Sequence, residues 1–381
     1  MKIAVLGVGR VGKAVALDLA REGEFDVTAV DRSQESLARI PGDAGINTLR
    51  ADLADAHEVA RALGGQDLAV GAVPGFLGFR TLQAVLEAGY PVVDMAFAPE
   101  DPMQLNGLAR QQGLVAVVDA GIAPGMSNLI LGRLEEELDE TTRFECMVGG
   151  LPVVRHWPFQ YKAPFSPVDV LEEYTRPARL RRNGRTRVVP ALSDVEMLDL
   201  PEVGALEAFN TDGLRTLLKT CETPNMVEKT LRYPGHAEWM KGLRATGFFR
   251  SEAMDVDGDT VVPLKLTGKL LEEAWAFDES EEDLTIMQLV VDGVRDGKEE
   301  RHSFHLLDRY DSETGTSSMA RTTGYTCTAM VRAVAQGLYR EPGVSPLELV
   351  GREKKVYDFV MDELKTRGVE FQHSVQEVEE G

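Results

Sequence analysis

Residues 5–20 read VLGVGRVGKAVALDLA, and Gly7, Gly9 and Gly12 fall where a buried strand should run into a helix. Glycine weakens either element by about 0.5–1 kcal/mol relative to alanine, so the bareness has to serve something. The spacing Gly7-Val8-Gly9-Arg10-Val11-Gly12 is G-x-G-x-x-G. In that motif the first glycine permits a tight turn, the second lets a pyrophosphate approach the backbone, and the third lets strand and helix pack closely. The amides that open the helix, from Arg10 and Val11 onward, then meet the phosphate charge. Asp31 ends the next strand pattern, 19 residues after Gly12. A carboxylate there binds the adenosine ribose hydroxyls and disfavours a 2′-phosphate, whereas a guanidinium such as that of the adjacent Arg32 accepts one. The expected cofactor is NAD, with NADP kept open by Arg32. The plainer alternative is a glycine-rich turn without a ligand; strand, helix and acid together weigh against it.

These residues need a scaffold, and the chain up to about residue 124 spells one. Short apolar runs at 2–8, 25–31, 47–53, 67–74, 91–96 and 114–121 alternate with helical patterns at 11–22, up to 63, 79–88 and 101–112. Strands spaced by such helices imply a parallel sheet covered on both faces. The expected fold class is α/β: a Rossmann-type doubly wound parallel sheet of six strands, joined to a second α+β domain with a largely antiparallel sheet. Ligands of open α/β sheets lie outside the carboxyl ends of the strands. That places Val73 and Pro74 at the cofactor, and Asp94 and Asp119 near its reactive ring. The bland alternative for each aspartate is a cap on the following loop or helix.

After a helix at 126–138 the pattern lengthens, with alternating stretches at 143–153, 260–266 and 284–311. The last reads as a hairpin turning near Gly293–Gly297. A helical stretch at 318–339 and an acidic helix at 353–367 follow, and the tail EVEEG reads as frayed. The expected domains are 1–124 for the dinucleotide, 125–317 for substrate and dimerisation, and 318–381 packing back on the first.

Lys plus Arg number 41 and Asp plus Glu 62, a formal charge of −21 over 381 residues. Such a surface repels nucleic acid and anionic lipid, so neither is an expected partner. No run approaches the roughly 18 apolar residues of a membrane span. The start MKIAVLGVG lacks the longer apolar core and cleavage site of a secretory signal, so the cytoplasm is the default. Cys146, Cys221 and Cys327 are odd in number and far apart, which disfavours a disulfide framework. His302 and His305, three apart on a strand, face opposite ways, and no other cluster has ligand spacing. No metal is expected.

GVGRVG, DAGIAPGMSN (119–128), GGLP (149–152), YKAPFSP (161–167), LEAFNTDGLRTLL (206–218), LRYPGHAEWM (231–240), MARTTGYT (319–326) and GVSPLELVG (343–351) follow one another in order. This series resembles the saccharopine dehydrogenase-like family over nearly the whole chain, and within it the lysine ε-dehydrogenase branch. The resemblance implies a homodimeric, NAD-dependent enzyme that oxidises the ε-amine of L-lysine to ammonia and 2-aminoadipate semialdehyde. Relatives that make or break secondary amines usually carry an aspartate before the Pro-Gly matched here by Ala123-Pro124-Gly125, and its absence favours the simpler amine.

Oxidising a C–N bond needs a neutral amine and then a water activated against the imine, tasks for a base with a pKa near the working pH. His236 in RYPGHAE is the first candidate, because its unperturbed pKa lies in that range. Asp94 or Asp119 could instead hold the cationic amine. Arg215 is a candidate clamp for an α-carboxylate, and Tyr161 and Lys162 for donating to it or shuttling a proton. Each has a structural alternative: a corner histidine, a helix-opening ion pair, loop packing. Arg321 reads as a structural group between domains.

Two other functions stay open. One is a saccharopine or carboxynorspermidine dehydrogenase or reductase using NADP. The other is a non-catalytic dinucleotide-binding sensor or scaffold.

Overall fold

The computed structural model describes residues 1–163, 167–278 and 281–378. Residues 164–166 of the YKAPFSP motif and the last three residues of EVEEG lie outside them. The strands of the first half are β1 (Lys2–Leu6), β2 (Asp26–Asp31), β3 (Asn47–Arg50), β4 (Leu68–Gly71), β5 (Val92–Asp94) and β6 (Val115–Val118). There follow β7 (Glu140–Pro152), β8 (Ala178–Arg182), β9 (Arg185–Val189), β10 (Glu196–Leu200), β11 (Gly204–Asn210), β12 (Met226–Arg232), β13 (Met254–Val256) and β14 (Asp259–Val261). The last four are β15 (Asp283–Arg295), β16 (Lys298–Arg309), β17 (Gly343–Pro346) and β18 (Gln372–Glu377).

The first sheet runs β17-β6-β5-β4-β1-β2-β3, every pair parallel. Its central strands are buried on both faces, and Ile3, Ala4, Val5 and Leu6 of β1 are fully enclosed. That is why they read as one apolar run. The strand order reverses between β1 and β4, which opens a crevice at their carboxyl ends. The second sheet runs β10-β11-β12-β7-β15-β16-β18, with β8 and β9 attached to β12. Among the described residues only the β12–β7 pair in it is parallel. A doubly wound α/β sheet and a largely antiparallel second sheet are thus both present. One apolar core runs from β1 through the helix Met126–Glu137 to β7 and β15.

Several local expectations need correction. The first sheet has a seventh strand, β17, which pairs with β6 from GVSP near the end of the chain. The stretch TVVPLKL is not a strand throughout: β14 ends at Val261 and Pro263 opens the helix Pro263–Ala274. Proline suits a first helical position because its fixed φ is already helical and its missing N–H would find no partner there anyway. In the tail, Glu377 ends β18, which forms the edge of the second sheet beside β16. The segment after residue 317 therefore serves both layers. Its helix Ser318–Ala335 packs on the helix Arg10–Ala20, where Arg332 and Arg367 each reach Asp18 at 2.8 Å. Arg321 pairs with Asp308 and Asp311. Among the described residues no helix is long and apolar enough to cross a membrane.

Candidate active-site cleft

A cleft of about 700 Å³ lies between the carboxyl ends of the first sheet and one face of the second. All nine residues expected at the cofactor line it: Gly7, Gly9, Arg10, Val11, Gly12, Asp31, Arg32, Val73 and Pro74. The glycines divide the labour sterically. A Cβ on Gly7, whose φ is +99°, would sit 2.5 Å from the Ala72 carbonyl oxygen, and one on Gly12 would sit 2.0 Å from that of Gly7. A Cβ on Gly9 would meet nothing within 4 Å. The first and third glycines thus close the strand–helix corner, and the second leaves open space over it. The N-cap residues Gly9 and Pro74 give no side-chain cap to the helices Arg10–Ala20 and Gly75–Glu87, and neither helix has an acid in its own first turn. The N-terminus of the helix Arg10–Ala20, open at Gly9, favours a bound anion. The site fits a dinucleotide.

Asp31 also organises the corner. Its Oδ2 accepts from Val8 N–H and its Oδ1 from Ser33 N–H, both at 2.8 Å. Arg32, Ser36 and Arg39 line the same end of the cleft. Arg10 reaches across to the second half of the chain and donates to the Phe277 carbonyl oxygen at 3.0 Å.

The candidates for chemistry stand elsewhere. Asp94, Asp119 and Arg215 lie behind the cleft wall rather than on it. Burial, with Asp119 nearby, holds the Asp94 carboxyl well above the usual range. Asp119 and Arg215 both adopt positive φ, 54° and 44°, and Asp119 Oδ2 accepts from Arg215 Nε–H at 3.0 Å. The Arg215 guanidinium also donates to the Ala98 carbonyl and lies 4.8 Å from the Phe97 ring centre. The pair ties β6 to the second half of the chain and supports Phe97, which does line the cleft. Arg215 is therefore an interdomain tie, not a carboxylate clamp.

His236 is fully buried and does not line the cleft. Its Nδ1–H donates to the Phe159 carbonyl oxygen at 2.8 Å, which leaves Nε2 to accept from the Tyr174 hydroxyl at 2.8 Å. Burial, with Arg232 near, lowers its pKa to about 3, so it is neutral and already bonded on both nitrogens. A histidine in that state is a poor general base. Tyr161 is buried under the Arg232 guanidinium, 4.4 Å from its ring centre, and burial pushes its hydroxyl pKa up. Lys162 pairs with Glu281. Neither of these lines the cleft.

The wall facing the glycines is made instead by residues the sequence reading passed over. Along β12, Glu228, Thr230 and Arg232 line the cleft, while Lys229 turns away to Glu196 and Leu231 enters the core. Three polar residues at i, i+2 and i+4 on one strand share a face, a signal present in MVEKTLR. Glu228 Oε2 accepts from Thr211 Oγ1–H at 2.7 Å and Gly213 N–H at 3.0 Å. Burial pushes Glu228 up to about 7 against the Thr211 bond, with Glu173 adding to the rise. Arg232 donates to Glu173 at 2.7 Å and to the Tyr174 hydroxyl at 3.3 Å, so His236 supports this arginine through Tyr174. Arg176 pairs with Glu172 and lies 5.2 Å from the Phe97 ring centre.

Gly149 and Gly150 of GGLP let β7 pack closely against its neighbours at the wall. A Cβ on Gly149 would lie 2.6 Å from the Leu231 carbonyl oxygen, and one on Gly150 2.5 Å from the Met319 sulfur. Among the described residues no group of three His, Cys, Asp or Glu side chains could hold a metal ion.

Two family models match this chain. One, described as Saccharopine dehydrogenase NADP binding domain, covers residues 3–117. The other, described as Saccharopine dehydrogenase C-terminal domain, covers residues 121–369. Among similar proteins, carboxyaminopropylagmatine dehydrogenase of Synechocystis sp. is 21% identical over 374 residues, 91% of this chain and 92% of that relative. Saccharopine dehydrogenase (NADP+, L-glutamate-forming) of Schizosaccharomyces pombe is 21% identical, with 98% of each chain covered. The chain spans only 29% of the length of the alpha-aminoadipic semialdehyde synthase of Mus musculus, to which it is 24% identical over 266 residues. The solved structure of apo saccharopine dehydrogenase (L-Glu forming) from Saccharomyces cerevisiae matches with a TM-score of 0.80 at 19% identity, over 98% of this chain and 99% of that one. That likeness shows the fold.

Proposed function

This chain belongs to the saccharopine dehydrogenase family, and from that premise we propose that it is an NAD(P)-dependent oxidoreductase acting on the C–N bond of a cationic, amino-acid-derived amine, with the ε-amine of L-lysine as its leading substrate. When bound, the nicotinamide supplies the two-electron acceptor for the carbon that carries nitrogen. Gly7, Gly9 and Gly12 with the helix behind them would hold the pyrophosphate, and Asp31, Arg32, Ser36 and Arg39 would surround the adenosine ribose.

The observation that carries the substrate reading is the charge of the facing wall. Five carboxylates line it, from Glu172, Glu173, Asp212, Glu228 and Glu272, against two lining guanidiniums, from Arg176 and Arg232, while Arg179 and Lys269 pair with Asp212 and Glu272 from outside the lining. Each arginine is already matched by a neighbouring acid. With these cations already engaged by acids and Glu228 left without one among the described residues, the wall favours a substrate of net positive charge such as lysine, and disfavours one carrying three carboxylates such as saccharopine. Arg176, resting on Phe97 with one ion-pair partner, would receive the single α-carboxylate.

A second reading is favoured by the same charge. An amine joined to a guanidinium-bearing or polyamine chain, the kind of substrate named in the Synechocystis relative, is also cationic. Purified protein is assayed with NAD+ and NADP+ against L-lysine, saccharopine and carboxyaminopropyl derivatives of diamines and agmatine, following the absorbance of reduced nicotinamide. Turnover of lysine above the others supports the first reading, turnover of the carboxyaminopropyl amines the second. Turnover of saccharopine alone would overturn the charge argument.

A further inference from the structure

Oxidation of the amine leaves a C=N carbon that water must attack, and a group in the cleft has to manage the protons of that step. The candidates can be sorted by their bonds. Asp94, Asp119 and His236 are off the wall. Glu172 and Glu173 are held by Arg176 and Arg232, and Asp212 is held by Nε and Nη2 of Arg179, each at 2.8 Å. Glu272 pairs with Lys269 at the exposed rim. Asp169 stands at Gly75, on the cofactor side.

Glu228 differs from all of these. It projects from the middle of the β12 face, is buried, and has no cation paired with it among the described residues. Among the described residues its hydrogen bonds, from Thr211 and Gly213, both fall on Oε2, which leaves Oε1 of this cleft-lining carboxyl without a protein partner. The Thr211 hydroxyl is in turn 2.8 Å from that of Thr230, so the support is itself held.

Resting on the oxidoreductase reading above, we propose that Glu228 is the catalytic base for the hydrolytic half of the reaction. Its carboxylate takes a proton from water as the water oxygen bonds to the C=N carbon and the π pair moves to nitrogen. The carboxyl then returns that proton to nitrogen, the C–N bond breaks, and the hydroxyl proton leaves with the departing amine. Iminium and water become aldehyde and ammonium, with Glu228 restored.

The groups that face Glu228 set its titration. Glu173 faces it from the helix Pro167–Thr175 and Asp212 from the turn after β11; both raise its pKa. Cys146 faces it from β7, its thiol pushed far up by burial and so neutral. With burial these hold the carboxyl at about 7, where a base is most effective near neutral pH. A base must be deprotonated, so kcat rises with pH through that value.

The test uses the purified full chain with its best amine and cofactor, in single-turnover and steady-state modes, with folding checked by dinucleotide binding. Glu228→Gln should still give the rapid first turnover of reduced nicotinamide, then stall, with steady-state kcat down about 10²–10⁴-fold and the acid limb gone. Thr211→Val keeps the carboxylate but removes a donor that stabilises its charge, so its acid limb should move to higher pH. The assignment is overturned if Glu228→Gln turns over like the parent, if its first turnover and steady state fall together, or if Thr211→Val leaves the limb in place. Should Glu228→Gln fail to fold, Thr211→Val alone decides. A parent protein that oxidises no amine overturns the functional reading and this base with it; an active parent with an unaffected variant overturns the base alone.

Discussion

In the dinucleotide half of the cleft the working residues sit within a few positions of a strand end. In the half that faces it they come from β12, the turn after β11, the helix Pro167–Thr175 and the GGLP end of β7. The first half is therefore a local object. A glycine triplet between a strand and a helix has one steric use, and Gly7 and Gly12 are packed against backbone oxygens as that use requires. The second half is assembled by sheet pairing, so no single segment announces it. Tyr161, Lys162, Arg215 and His236 looked chemical in isolation, yet each is committed to another protein group. A polar residue in a notable motif is evidence that something must be held there; pairing decides whether the thing held is substrate or the protein itself.

The sharpest way to break this contrast is at the glycines. Gly12→Val puts branched carbon where even a Cβ would lie 2.0 Å from the Gly7 carbonyl oxygen. Backbone must move, at a cost of about 3 kcal/mol, and dinucleotide binding should vanish in a calorimetric titration. Retained binding would mean that the corner is not the phosphate site.

On the substrate side the largest effect is expected at Arg232. Arg232→Met strips the partner from Glu173, whose carboxyl burial already raises and this arginine draws back down. Breaking such a pair costs about 3 kcal/mol, at the low end because Glu173 keeps some exposure, and chemical denaturation would read it. The loss should be smaller at low pH, where Glu173 is protonated in both folded and unfolded chains.

His236→Asn comes next. It leaves the Tyr174 hydroxyl or the Phe159 carbonyl short of a partner, for about 1–3 kcal/mol. The pKa of His236 is lowered by burial to about 3, below its unfolded value of 6.5, so the unfolded chain binds the extra proton between those values. Folding stability of the parent therefore falls as pH drops from 6.5 toward 3, and the asparagine variant should lose that part of the slope. Its kcat–pH profile near neutrality should be unchanged. A displaced profile would return His236 to the chemistry.

Legibility followed the same division. Parallel strands buried on both faces print as apolar runs, so β1, β4, β5 and β6 stood out, while β3, at the exposed edge, printed only weakly. The strand β17 is four residues ending in proline and follows a long helix, so nothing in GVSP marks it until β6 supplies its partner. In TVVPLKL the apolar run suits either element; Pro263 chose the helix. The cleft wall was recoverable in part, because Glu228, Thr230 and Arg232 repeat at the strand period. What single-sequence reading lacked was the identity of the neighbours: Thr211 beside Glu228, Glu173 beside Arg232, and the Phe159 carbonyl on His236.

The smallest expected effect lies at the far end of the dinucleotide half, where cofactor choice is made. Asp31, by its position, should favour NAD, but its two oxygens already accept from Val8 and Ser33 amides, so part of its acceptor capacity is spent on the corner itself. Arg32 and Arg39 are exposed beside it and Ser36 lies between them in sequence, a set suited to a 2′-phosphate. Arg39 has to leave Glu35 to serve, and that surface pair, 59% and 79% exposed, holds it weakly. Arg32→Ala with Arg39→Ala should thus weaken NADP binding about tenfold, or ~1.4 kcal/mol, and leave NAD within twofold. Because both guanidiniums are in water, the parent's affinity for NADP relative to NAD should fall with added salt. Equal weakening of both cofactors would place the arginines on the pyrophosphate instead, and an unchanged ratio at every salt concentration would return the choice to Asp31 and to NAD.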